Sequence, residues 1–209
     1  MSQTKVAVGM LSATGTPGSG NFLRGDGTWN APAAGLTFIS STDISAAATY
    51  DFTSFTAGSY EHYMFVLQNL LPATNDVHLY VRTSTDGGSS YDDGASDYTW
   101  GGNALAAGDY DLADAQLSLT GDNSSSYSVG NATNAVGVCG TIMLYAPHAT
   151  AVTMVSGDLR YADGGDVSYI QANFGGHRLS AADVDGFRIY FESGNITSGT
   201  ITAYGLANA

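Results

Sequence analysis

The sequence predicts an all-β protein, a two-sheet antiparallel β-sandwich of jelly-roll type, preceded by an extended N-terminal arm. Three observations carry this expectation. Glycine (27) and tyrosine (13) are abundant, while charged residues are only 12% of the 209, about half the usual share. Stretches rich in Leu, Glu and Lys, from which stable helices are built, are scarce. From Leu36 onward, short runs of β-forming residues are cut by turn signals every ~8–14 residues, giving about eight to ten strands. With 44% hydrophobic residues, the chain can build one sizeable core and carry an appendage.

Residues 1–35 read as the appendage. Val6-Ala-Val-Gly-Met-Leu11 is a short apolar patch suited to edge pairing or to insertion in a partner's groove. Gly15-Thr-Pro-Gly-Ser-Gly-Asn-Phe-Leu-Arg-Gly-Asp-Gly-Thr-Trp29 follows. Its Phe22, Leu23 and Trp29 are bulky groups among residues too small to form a core, so they need an external surface. Gly25, Asp26 and Gly27 predict a tight turn, because glycine reaches positive φ freely and Asp supports local turns. Ala31-Pro-Ala-Ala-Gly35 closes the segment, and the domain boundary is placed at Gly35.

The sandwich is expected over residues 36–209. Leu36-Thr-Phe-Ile-Ser opens it, and Ile44 to Phe55 alternates loosely. His62-Tyr-Met-Phe-Val-Leu-Gln-Asn69 is nearly continuous in apolar residues, the composition of a strand buried on both faces. Val77 to Thr83 alternates as a half-buried strand does. Tyr91 to Trp100 reads as a loop or irregular strand, and the Ala-rich Asn103 to Asp114 as room for one helical turn. Gln116 to Thr120 is a strand, and the Ser/Asn-rich Gly121 to Asn134 a long loop. Val136 to Tyr145 is a second buried strand carrying Cys139, the single cysteine; an inert core thiol is expected and an intrachain disulfide is impossible. Val152 to Gly157, Leu159 to Tyr161 and Tyr169 to Phe174 follow. Gly186 to Phe191, the turn Glu192-Ser-Gly-Asn195 and Ile196 to Leu206 close the chain as a hairpin.

The charge balance, 19 acidic against six basic residues for a net −13, opposes phosphate backbones and anionic bilayers. Neither nucleic-acid binding nor membrane insertion is expected, and no apolar run approaches a membrane span. The N-terminus lacks the features of a secretory signal, implying synthesis in a cytoplasm. Motifs for nucleophilic, nucleotide-dependent or zinc chemistry are absent, and His62, His78, His148 and His177 are scattered. No catalytic residue, cofactor or metal is assigned. Asp109 and Asp111 are weak calcium candidates by their spacing, but no EF-hand register surrounds them. Arg24-Gly-Asp26 spells an integrin tripeptide that the Gly-Asp-Gly turn explains structurally.

Phe22-Leu-Arg-Gly-Asp-Gly-Thr-Trp29, with the preceding Gly15-Thr-Pro-Gly run, resembles an element that recurs in tail-fibre and related virion proteins of bacteriophages, ahead of a trimeric globular tip. The resemblance covers about fifteen residues. It implies a virion protein made in the host cytoplasm, most simply a trimeric tail fibre or its tip, for host-surface attachment. Residues 1–35, with Val6, Val8, Phe22, Leu23 and Trp29, would attach to other virion proteins or trimerise. The aromatic residues Tyr91, Tyr98, Trp100, Tyr110 and Tyr127, assigned to loops, would contact a host surface glycan or protein, or else fill a trimer seam. A capsid decoration or head-fibre protein is the alternative. A glycan-cleaving tailspike-type hydrolase is a second, acting through paired carboxylates but without the long repeats such enzymes show.

Overall fold

A computed structural model describes residues 13–16, 18–30, 35–104, 107–122, 127–132, 135–165 and 169–207. The chain divides after Gly35 into two compact units.

In the first unit, β1 (Phe22–Leu23) and β2 (Trp29–Asn30) pair antiparallel, Phe22 opposite Asn30 and Leu23 opposite Trp29. The described part of the arm is therefore a hairpin, not extended chain. Gly27 closes its turn at φ +80°, donating its N–H to the Arg24 carbonyl at 3.0 Å. Asp26 Oδ1 accepts from Thr28 N at 3.0 Å and Thr28 Oγ1 at 2.7 Å, and these bonds hold its carboxyl below the usual range. Thr14 runs alongside, accepting from Trp29 N at 2.8 Å. Gly15 has φ +90°, and a Cβ there would lie 2.7 Å from the Trp29 carbonyl oxygen. Phe22 and Leu23 remain 63% and 43% exposed. Val6 and Val8 lie outside the described residues.

The second unit is all-β, in two antiparallel sheets. Its strands are β3 (Leu36–Ala47), β4 (Thr49–Phe52), β5 (Tyr60–Pro72), β6 (Leu79–Ser84), β7 (Tyr98–Ala104), β8 (Ala107–Asp114), β9 (Leu117–Ser118), β10 (Val138–Tyr145), β11 (Met154–Ala162), β12 (Tyr169–Arg178), β13 (Gly186–Phe191) and β14 (Ile196–Ala207). The larger sheet has the order β3-β14-β5-β10-β11-β12-β7-β8, and the smaller β4-β13-β6-β9.

The connectivity is a jelly roll with an extension. β3, β4, β5 and β6 alternate between the sheets, and each pairs with a strand from the second half of the chain taken in reverse: β14, β13, β10 and β9. The chain thus behaves as one long two-stranded ribbon rolled on itself, the layout that gives two facing four-stranded sets. Two excursions leave this ribbon, β7-β8 between β6 and β9 and β11-β12 between β10 and β13. Both add to one edge of the larger sheet, as β10-β11-β12-β7-β8.

One apolar core lies between the sheets. Tyr63, Phe65, Leu67 and Leu70 of β5, Ile142 and Leu144 of β10, and Phe187 and Ile189 of β13 all face it, at 1% exposure or less. Phe65 stacks on Phe187 with ring centroids 5.0 Å apart, joining the two layers. The inner faces of β11, β12 and β7 continue the same core through Leu159, Ile170, Phe174 and Trp100.

Several sequence expectations change. The closing hairpin is not one: β13 and β14 lie in different sheets, and the turn at Gly194 (φ +73°) crosses between layers so that Phe191 and Ile196 both enter the core. Among the described residues of 103–114 there is no helical turn; they are the end of β7 and all of β8, because ladder bonds to β12 and between the two strands outweigh the helix preference of alanine. Residues 154–162 form one strand, not two. Cys139 is half-buried rather than a core thiol. At a bulge in the β5-β10 pairing, its Sγ accepts from Asn69 N at 3.3 Å and donates to Asn69 Oδ1 at 3.2 Å.

Candidate functional site

Of the aromatic residues expected on ligand-binding loops, two are corrected outright. Tyr98 and Trp100 are strand residues of β7, 1% and 3% exposed. The Tyr98 hydroxyl accepts from Thr83 N at 2.8 Å and donates to the Asp92 carbonyl at 3.2 Å, while Trp100 Nε1 donates to Asp114 Oδ2 at 2.8 Å. Alternation within β7 turns both rings inward, so they hold the fold and offer no surface. Tyr127 is half-buried against the core, its carbonyl taking the Tyr161 hydroxyl at 2.7 Å. Tyr91 lies under the Arg188 guanidinium, 3.9 Å from ring centroid to Cζ, and Arg188 is also held by both oxygens of Asp51 at 2.7 Å. Tyr110, on β8, stays 67% exposed.

Asp109 and Asp111 serve backbone groups. Asp109 is buried, with Oδ1 accepting from Tyr110 N and Oδ2 from Asp122 N, both at 2.9 Å. Asp111 Oδ1 accepts from Ala113 N at 2.9 Å. Among the described residues, no group of three or more His, Cys, Asp or Glu is arranged to hold a metal.

The neighbouring Asp122 is pushed up to about 6, chiefly by burial and then by Asp114, Asp109 and Asp111. Its folded value therefore lies above the ordinary 3.8, so folding favours its protonated form. The fold gains this contribution at acid pH and loses it as pH rises through about 6. Asp122→Asn should raise the melting temperature at pH 7–8 by about 2–4 °C and leave it nearly unchanged at pH 4, the expected effect being about 1 kcal/mol once solvent screening is allowed for. Equal shifts at both pH values in a thermal scan would contradict this.

The surface that distinguishes this sandwich is the outer face of the larger sheet. Register places side chains there in rows. One row is Leu36, Leu206, His62, Tyr145, Met154 and His177. The next is Phe38, Tyr204, Met64, Met143, Ser156, Gly175, Gly101 and Tyr110. Neither row contains a charged Asp, Glu, Lys or Arg, in a chain of net charge −13. Phe38 is 59% and Met154 51% exposed; Tyr204 meets Phe38 edge-on at 6.0 Å.

This face also corrects the reading of β5 as buried on both sides. Tyr63, Phe65 and Leu67 are buried, whereas His62, Met64 and Val66 are half-buried on the outer face. A strand apolar on both faces is the composition of double burial, and a single chain covers one face only. Sequence reasoning missed Phe38, Met64, Met143 and Tyr204 as a surface; the available signal was the run of apolar residues itself.

Beyond Met143 the character changes. A third row, Ser41, Thr202, Val66, Thr141, Asp158, Asn173 and Asn103, is polar except at Val66 and meets a charged residue, Asp158, where the extension begins. There Thr141, Met143, Ser156, Asp158, Asn173 and Gly175 line a depression of about 380 Å³. No family model, curated protein or solved structure matches the chain.

Proposed function

We propose that the chain is a virion fibre protein, in which residues 1–35 attach or assemble and the sandwich is a multimeric tip that holds a host surface. The carrying observation is the pair of uncharged, largely apolar rows on the open face of β3, β14, β5 and β10. Exposed apolar areas of this extent mark interaction sites. For a copy carrying thirteen net negative charges, two adjacent rows without carboxylates are where close approach to another copy meets least repulsion. Three copies meeting there would place three extension strand sets at the rim, turning weak single contacts into avidity. The Phe22–Trp29 hairpin supports the reading from the other end, as a preformed turn presenting Phe22 and Leu23 outward.

Gold-labelled antibody against the chain, applied to phage particles from the producing culture, tests this. Label at the distal end of the tail is the expected result. Label over the shell would transfer the protein to a capsid-decorating role, and particles without label would overturn the virion assignment.

A further inference from the structure

The depression at the start of the extension takes Met143, Ser156 and Gly175 from the second row and adds the polar groups of the third. We propose that it binds a neutral saccharide, with Asp158 and Asn173 as the hydrogen-bonding pair. The role of such a site in host contact rests on the attachment reading above; the binding itself does not.

The polar groups are fixed before any ligand arrives. Gln171 Nε2 donates to Asn173 Oδ1 at 3.4 Å, Asn173 Nδ2 donates to Asp158 Oδ1 at 3.0 Å, and Arg160 Nη1 donates to the same oxygen. The Arg160 bond, with that of Asn173, holds the Asp158 carboxyl below its usual range, so it is ionised at neutral pH. Its Oδ2 has no hydrogen-bond partner among the described residues, and an ionised carboxylate oxygen is a strong acceptor. Thr141, directly opposite Asp158 in the ladder, and Ser156 add hydroxyls that both donate and accept.

The remaining lining is apolar or absent. Met143 stands at one side, and the Tyr145 hydroxyl lies 3.2 Å from Ser156 Oγ. Gly175 leaves the space open. A Cβ there would sit 2.8 Å from the Val155 carbonyl oxygen and 3.4 Å from the Ser156 Cβ, so a side chain would both strain the ladder and fill the depression.

This donor and acceptor set selects among ligand classes. A sugar ring offers adjacent hydroxyls that donate to a carboxylate and accept from an amide, and C–H faces that pack on Met143. Anionic polymers are disfavoured, since Arg160 is already paired with Asp158 and the chain carries −13. The volume of about 380 Å³ lies near the lower end of small-ligand sites, suited to one or two sugar rings rather than a protein segment.

The test is a titration of the full-length ¹⁵N-labelled chain with maltose, cellobiose, lactose, chitobiose and, as an anionic probe, polygalacturonate. At least one neutral disaccharide should shift amides at Thr141, Ser156, Asp158 and Asn173. Asp158→Ala should weaken that binding by about tenfold or more, as loss of a charged hydrogen-bond partner does. Ser156→Phe, which fills the space, should abolish it with the remaining spectrum preserved. No shift with any neutral probe, shifts elsewhere on the chain, preference for polygalacturonate, or unchanged affinity in both variants would each overturn the proposal. Adsorption to bacterial envelopes separates it from the attachment reading. A wild type and a Ser156→Phe variant that adsorb equally would refute the groove and keep attachment; saccharide binding without adsorption to any envelope would keep the groove and refute attachment.

Discussion

Phe187→Ala should lower the free energy of unfolding by about 3–5 kcal/mol, the range for deleting a fully buried aromatic ring. Phe187 is 0% exposed and stacks on Phe65 across the interlayer space, and Phe65 also meets Phe52 edge-on at 5.2 Å. β13 and β4 belong to the smaller sheet and β5 to the larger, so this aromatic group is what the two layers share. Removing one ring leaves a cavity whose walls are strands fixed on both sides by ladder bonds, and such walls collapse poorly. Urea denaturation would show the loss as a lower midpoint at an unchanged slope. A midpoint shift worth less than about 1 kcal/mol would mean that Phe187 is not interlayer core.

Gly176→Ala should cost about 3 kcal/mol, at the upper end for forcing atoms into a packed region, and the damage should be confined to the extension. A Cβ at Gly176 would lie 2.1 Å from the Thr99 carbonyl oxygen and 2.7 Å from Trp100 Cα. Both are backbone atoms of β7, so no rotamer change relieves the clash. Gly102 is the counterpart on the facing strand, where a Cβ would lie 2.1 Å from the Asn173 carbonyl oxygen. The two glycines stand opposite Trp100 and Phe174, whose rings meet at 6.0 Å; each strand gives up a side chain where its partner supplies an aromatic one. Hydrogen exchange should show amides of β7 and β8 losing protection while β14, β5 and β10 retain theirs. Uniform loss across both sheets would contradict the division into jelly roll and extension.

The fold class was readable because turn chemistry and strand composition agree along the chain from Leu36 onward. Sheet membership was not. Gly186 to Leu206 has the pattern of a hairpin, and nothing in a period-two alternation says that the turn at Gly194 passes from one layer to the other. Tyr98 and Trp100 looked like loop residues because Asp92, Asp93, Gly94 and Asp97 precede them; what makes them core is a register against β12, in which Trp100 stands opposite Gly176 and Tyr98 opposite Arg178, far along the chain. The depression at Asp158 and Asn173 was invisible for the same reason, since its residues come from three strands joined only by ladders. By contrast, the apolar run of β5 announced a strand apolar on both faces, and the turn at Gly25 to Gly27 was legible from its residue types alone.

The most direct measurement is the solution mass of the full-length chain by light scattering, beside that of Phe38→Asp/Met64→Asp. Both substitutions sit on the outer face and leave the core untouched, so circular dichroism should be unchanged. The proposed assembly predicts a mass three times the 21.5 kDa of one chain, falling to that of a single chain in the variant as two carboxylates per copy enter the contact. A wild-type mass of one chain, or a trimer indifferent to the two substitutions, would contradict it.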